Sequence, residues 1–191
     1  MRIGVDIDGT VVDFSNKFSR HLCDKGIYVL NKDVFKYMDH YATYEATEME
    51  NCFSLDFYPR VESVLFKWHQ MDKHEITFVT KRGKHSTSDE VRNAIEVLTR
   101  RWQESNFEYA KGVIFSMNKE EHAKDFDVMI EDDAGNANAI APHCSVILIN
   151  RGWNRDIPLH ENVIIAEDWI EVEFIVKNLS KYQEAQAGAA I

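Results

Sequence analysis

The chain has little that would staple, anchor or extend it. Its three cysteines, Cys23, Cys52 and Cys144, stand far apart and form no Cys-x-x-Cys pair. That spacing suits buried thiols in a reducing compartment and argues against a disulfide framework. No run of about 18 apolar residues exists, so no transmembrane helix is expected. The opening residues enter a strand-like pattern without the charged and apolar regions of a signal peptide, and a cytoplasmic location is the expectation. Positive charge is the scarcer sign, with 22 Lys and Arg against 32 Asp and Glu and a net charge of −10. This balance argues against a nucleic-acid polymer or an anionic membrane as partner. A small anionic substrate stays compatible where a metal ion and local Lys or Arg reverse the field at one site. The histidines are scattered without ligand spacing, and there is no internal repeat or low-complexity linker. Oligomeric state is left open.

What is present is ordinary globular material: 191 residues, 45% hydrophobic and 28% charged. A chain of this size buries roughly 70% of its unfolded surface, as one large domain or as a core with an inserted lobe. Its first thirteen residues, Met1 to Asp13, organise the rest. Ile3, Val5 and Ile7 alternate with Gly4 and Asp6, the pattern of a short strand. Asp6 and Asp8 sit at its end, and Gly9-Thr10 supplies a turn. Two carboxylates at the end of a buried strand need a positive partner, and Mg²⁺ with a phosphoryl group beside basic side chains meets that need.

The stretch that follows is helical in pattern. Ser15 can cap a helix carrying Phe18 and Leu22, with Gly26 as its stop. Asn31 can cap a second, carrying Val34, Phe35, Met38 and Tyr41. Thr43 or Thr47 can start a third, carrying Met49, Cys52 and Phe53. Tyr28, Tyr37, Tyr44, Phe57 and Tyr58 add aromatic mass that best suits this small bundle's own core, with a few side chains left to line a pocket. Pro59 closes the lobe, and Arg60 to Met71 reads as an amphipathic helix with Val61, Val64, Leu65, Trp68 and Met71 on one stripe.

From Ile76 onward strands and helices alternate. The strands are Ile76–Thr80, Gly112–Ser116, Val128–Ile130, Val146–Ile149 and Val163–Ile165. Between and after them, helices are expected from about Ser88, at Asn118, through Ala137 to Ala141, and from near Asp168. Short strands that are apolar on both faces and separated by helices describe an α/β fold, a parallel sheet with helices on each side. The expected organisation is a core of residues 1–13 and 75–181, a helical cap of residues 14–74 inserted after the first strand, and a flexible tail at 182–191.

In an open parallel sheet, ligands bind at the C-terminal strand ends, where strand order reverses. Those ends hold Asp6 and Asp8, Thr80, Lys119, and Glu131 with Asp132. Lys124 competes with Lys119, but Lys119 stands at a helix start beside the third strand's end. Asp133 reads as a helix cap. Lys81, Arg82, Lys84 and His85 read most simply as a solvated loop, and Lys81, next to Thr80, is the one candidate among them to reach a phosphate. Asn154 and Arg155 read as a turn.

Asp6-Ile-Asp-Gly-Thr10 resembles the first motif of the haloacid dehalogenase-like (HAD) hydrolase superfamily. Phe78-Val-Thr80 is similar to its second motif, Lys119 to its third, and Ile130-Glu-Asp132 to its fourth. Within the superfamily, Val12-Asp-Phe14, Asp56-Phe-Tyr58, the Ile-Glu-Asp ending and Trp153-Asn-Arg155 look like the 5′(3′)-deoxyribonucleotidase family. Thr80-Lys-Arg82 departs from that family's Thr-Ser-Pro. The resemblance implies a Rossmann-like three-layer core with a parallel sheet and a small helical cap.

It also implies a mechanism. Asp6 is the nucleophile that forms an aspartyl-phosphate, and Asp8 is the general acid and then base. Mg²⁺ is the implied cofactor, held by Asp6, the Asp8 backbone carbonyl and Asp132, with Glu131 ligating directly or through water. Thr80 and Lys119, with Lys81 as a further candidate, would bind the phosphate. The implied activity is Mg²⁺-dependent hydrolysis of a small phosphorylated metabolite, with (deoxy)nucleoside monophosphates first and sugar phosphates as the alternative. A non-catalytic binding module is disfavoured because every implied catalytic position is filled. Dehalogenase and phosphonate-cleaving chemistries are disfavoured because Asp8 supplies an acid that their leaving groups do not need.

Overall fold

Alternation in β1 (Arg2–Val5) sets the architecture. A computed structural model describes residues 1–47, 53, 56–86, 88–155 and 157–189 of the chain. In it, Ile3 and Val5 are fully buried on one face of a sheet. Gly4 lies on the other face, where a Cβ would come within 2.9 Å of Met129 and 3.2 Å of Phe126. The missing side chain lets the opposite layer close onto the strand.

The strands β2 (Glu75–Thr80), β3 (Val113–Phe115), β4 (Val128–Glu131), β5 (Ser145–Ile149) and β6 (Val163–Ala166) complete a six-stranded sheet. Every pairing is parallel, and the order is β3-β2-β1-β4-β5-β6. Successive residues of the central strands feed opposite cores, whereas Ile164 and Ile165 of the edge strand β6 are exposed. Phe78, Ile130 and Ile147 join one apolar cluster, while Val79, Met129 and Leu148 join the other. This is the expected α/β fold with helices on both faces.

Five of the helices are α1 (Ser15–Asp24), α2 (Tyr41–Thr47), α3 (Val61–Gln70), α4 (Asp89–Asn106) and α5 (Ala134–Ile140); the last, α6, spans Trp169–Ala189. Tighter 3₁₀ segments cover Asn31–His40 and Lys119–Asp125. Val61, Val64, Leu65 and Trp68 of α3 share the larger core with Trp169, Val172 and Val176 of α6. Ala134, Ala137 and Ile140 of α5 fill the smaller one. Among the described residues no helix is long and apolar enough to cross a membrane.

The aromatics of the lobe after β1 pack on one another, but within the same core cluster as the sheet and not in a separate one. Phe14, Phe18, Tyr41 and Tyr44 are buried, and the Phe18 ring meets both tyrosine rings at 5.4 Å. Several details differ from expectation. Ser15 is the first residue of α1 and makes no capping bond. Asp13 takes that part, accepting from the Ser15 N–H at 3.1 Å and from Ser15 Oγ and Asn16 Nδ2 at 2.7 Å each. A carboxylate with two oxygens can satisfy donors that one hydroxyl cannot. Asn31 opens a 3₁₀ segment rather than an α-helix, and Tyr37, at φ −117° and ψ 21°, interrupts it. Tyr28 is 84% exposed and Met71 72% exposed, because each lies past the end of its helix, where the apolar stripe no longer faces a partner. Met49 and Cys52 lie outside the described residues.

Candidate active site

The chain visits one side of β1 through β2 and β3, and the other through β4, β5 and β6. Strand order therefore reverses at β1, and the crevice opens beyond its C-terminal end. Asp6 follows β1 directly, its N–H bonded to the Ile130 carbonyl at 3.0 Å, so its carboxylate is fixed against β4. The backbone then turns tightly, with Gly9 N–H bonded to Val12 O at 2.8 Å and Val11 N–H to Ile7 O at 2.8 Å. Gly9 has φ +84°, and a Cβ there would stand 2.0 Å from Asp132 Oδ2. Only glycine suits both the backbone angle and the space.

Four buried ionisable groups meet at this point. Lys119 Nζ donates to Asp6 Oδ1 and, at 2.7 Å, to Glu131 Oε1. Asp6, Glu131 and Asp132 each present a carboxylate oxygen within 4.8 Å of the others. Two of these acidic groups bond the Lys119 ammonium, and Asp132 lies beside them without a bond to it among the described residues. Burial raises the Asp6 carboxyl above its ordinary value despite Lys119, pushes Glu131 up to about 8, and lifts Asp132 well above its range, with Asp6 and Glu131 adding to the effect. Burial also works against the Lys119 charge, but Asp6 and Glu131 outweigh it and hold the ammonium above its ordinary value. A cluster short of positive charge, built of hard oxygen donors, fits a divalent cation such as Mg²⁺. Asp6, Glu131 and Asp132 are the side chains that could hold it.

Asp8 is in the same cleft but not in that cluster. Both of its oxygens are taken by Arg82, Nε to Oδ2 and Nη2 to Oδ1, each at 2.7 Å. The expectation of a solvated Arg82 is therefore wrong, since its side chain is only 1% exposed. The guanidinium is covered by the Phe53 and Trp102 rings, with centroids at 5.2 and 5.4 Å. Thr80, at the end of β2, is buried, and its Oγ1 accepts from the Arg82 N–H at 3.2 Å. Lys81 Nζ reaches Asn136 Oδ1 at 2.7 Å.

Asp6, Asp8, Thr80, Lys81, Lys119 and Asp132 line one cleft of about 210 Å³, while Lys124 does not. Phe14, Met38 and Tyr41 form an apolar wall, and His85 adds an imidazole whose pKa is lowered by burial and by Lys81.

A second tier holds Asp132. Trp153 Nε1 lies 3.0 Å from its Oδ2, and Asn154 Nδ2 donates to its carbonyl at 2.8 Å. Arg151 Nε donates to Gly9 O at 2.8 Å while stacking 3.6 Å from the Tyr58 ring centroid. Asn154 is thus a support for the site, whereas Arg155 is exposed and bonds Asn150 at 3.3 Å. Asp133 caps α5, accepting from the Asn136 N–H at 2.7 Å. Arg82, Arg151 and Glu45, whose Oε1 accepts from the Gly83 N–H at 3.1 Å, carry no spacing signal that would have marked them.

No family model matches the chain, and no curated protein matches it in sequence. Solved structures do match its fold. A haloacid dehalogenase-like family hydrolase from Xanthomonas campestris superposes with a TM-score of 0.58 at 12% identity, covering 99% of this chain and 98% of that one. CbbY from Rhodobacter sphaeroides, solved with xylulose-1,5-bisphosphate, gives 0.57 at 10% identity over 87% and 93%. A D,D-heptose 1,7-bisphosphate phosphatase from Burkholderia thailandensis gives 0.54 at 12% identity over 92% and 97%. At such identities the likeness establishes the fold alone, the parallel α/β fold that these three structures share.

Proposed function

We propose that the chain is a Mg²⁺-dependent phosphomonoester hydrolase acting on small phosphorylated metabolites through an aspartyl-phosphate. The observation that carries this reading is the convergence of Asp6, Lys119, Glu131 and Asp132 in one buried cluster at the switch point, with Asp8 and Thr80 in the same cleft. An Asp6 oxygen attacks phosphorus as the ester P–O bond breaks, and Asp8 passes a proton to the leaving oxygen. Asp8 then takes a proton from water, which attacks the aspartyl-phosphate; the bond to Asp6 breaks and inorganic phosphate leaves. Lys119 and Thr80 hold phosphoryl oxygens as charge develops, and Lys81 sits at the rim of the same cleft. The cation supplies charge neutralisation between an anionic nucleophile and an anionic substrate.

Two substrate classes have support. The apolar wall of Phe14, Met38 and Tyr41 and the resemblance of several motifs to those of 5′(3′)-deoxyribonucleotidases favour nucleoside monophosphates. The fold shared with a heptose bisphosphate phosphatase, together with the absence of Thr-Ser-Pro after Val79, favours sugar phosphates. Phosphate release from a panel of both classes, with Mg²⁺, separates them. A preference for nucleotides selects the first, and a preference for sugar phosphates the second. No release from any ester rejects the hydrolase.

A further inference from the structure

The Arg82–Asp8 pair is more elaborate than an ion pair needs to be. The guanidinium presents its flat edge to both oxygens of one carboxylate, a geometry that fixes the carboxylate plane as well as its position. Its faces are covered by Phe53 and Trp102, so it cannot swing into solvent and back. The loop that carries it is pinned on several sides. Lys84 N–H closes onto Lys81 O at 2.9 Å, Glu45 from the helical lobe takes the Gly83 N–H, and Arg92 Nη2 of α4 holds Ser86 O at 3.0 Å. Both residues line the cleft, but the Asp8 side chain is 17% exposed and that of Arg82 only 1%. The buried member of the pair is the anchor and the accessible member is the one that reacts.

We propose that Arg82 is a positioning residue that aims the Asp8 carboxylate at the leaving oxygen. This rests on the reading of Asp8 as acid and base, and it assigns Arg82 no contact with the phosphate. In the first step Asp6 bonds to phosphorus, the ester oxygen departs, and the Asp8 proton goes to that oxygen; Arg82 transfers nothing.

The test uses kcat/KM, which reports events up to phosphoryl transfer to Asp6. An alkyl phosphate needs a proton on its leaving oxygen, and 2,4-dinitrophenyl phosphate does not. Arg82→Gln is expected to lower kcat/KM by about 10–100-fold on the alkyl ester and by no more than about threefold on the dinitrophenyl ester. Arg82→Lys keeps a buried cation without the fork and is expected to show the same selective loss in weaker form. It decides the matter if Arg82→Gln does not fold. Equal losses on both esters, or no loss on either, would overturn the proposal, because Arg82 would then act on the phosphate, on the fold alone, or not at all. A wild-type chain that releases phosphate from neither of these esters nor from any nucleotide or sugar phosphate would reject the hydrolase itself.

Discussion

Asp6 and Gly9 show how much single residues decide at this site. Asp6 accepts from Lys119 through one oxygen, and an asparagine can still accept there. Asp6→Asn is therefore expected to abolish phosphate release while leaving the thermal unfolding transition nearly unmoved. Phosphate assay and calorimetry on the same sample check both halves. Gly9→Ala should behave differently. Its φ of +84° and the 2.0 Å approach to Asp132 Oδ2 leave no room for a methyl group. Backbone strain of this kind costs about 1–3 kcal/mol, so denaturant unfolding should show that loss, with Mg²⁺ binding impaired because Asp132 is displaced. The Asp6, Asp8, Lys119 and Asp132 positions were legible because each stands at a strand end or helix start, which periodicity locates. Arg82 was not. Its burial depends on Phe53 and Trp102, which arrive from separate elements, and no local pattern announces that.

Among the elements, the contact between α2 and the loop after β2 has a pH signature. Glu45 is buried and its carboxyl is pushed up to about 7 from an ordinary 4.5, chiefly by burial, with Asp8 adding to the shift and the Gly83 N–H and Arg82 opposing it. Because the folded-state value is the higher one, the folded protein holds this proton more tightly. The associated stability is complete below about pH 4.5, falls between there and about 7, and is lost above. The shift corresponds to about 3 kcal/mol. Glu45→Gln retains an acceptor for Gly83 and does not titrate. Its stability relative to wild type should rise across that window, measured by urea unfolding at several pH values; a flat difference would contradict the account. Strand and helix positions were readable because a two-residue alternation feeds two cores. The helix ends were less so. Asp13 displaced Ser15 as the capping group, and Tyr37 broke a spacing that fits α and 3₁₀ equally well.

At the scale of the molecule, a chain of net charge −10 gathers three buried carboxylates around one lysine. A cation bound there favours the folded state by mass action, by about 2.7 kcal/mol at a hundredfold excess over Kd. Saturating Mg²⁺ should accordingly raise Tm by several degrees, at about 2–4 °C per kcal/mol for a chain of this size. Asp132→Asn should lose most of that rise, and chelation should reverse it in the wild type. The fold class was readable from sequence because parallel sheets need strands that are apolar on both faces. The substrate class was not, because Phe14 and Tyr41 of the cleft wall also belong to the apolar core that the lobe shares with the sheet.

The covalent intermediate is the centre of the account, and it can be observed directly. The wild-type chain, turning over a phosphomonoester with Mg²⁺, would be quenched in acid, digested and mapped by mass spectrometry. Phosphate is expected on the peptide bearing Asp6, and none in the Asp6→Asn variant. Sustained turnover with no phosphate on Asp6, or phosphate on a different residue, would contradict it.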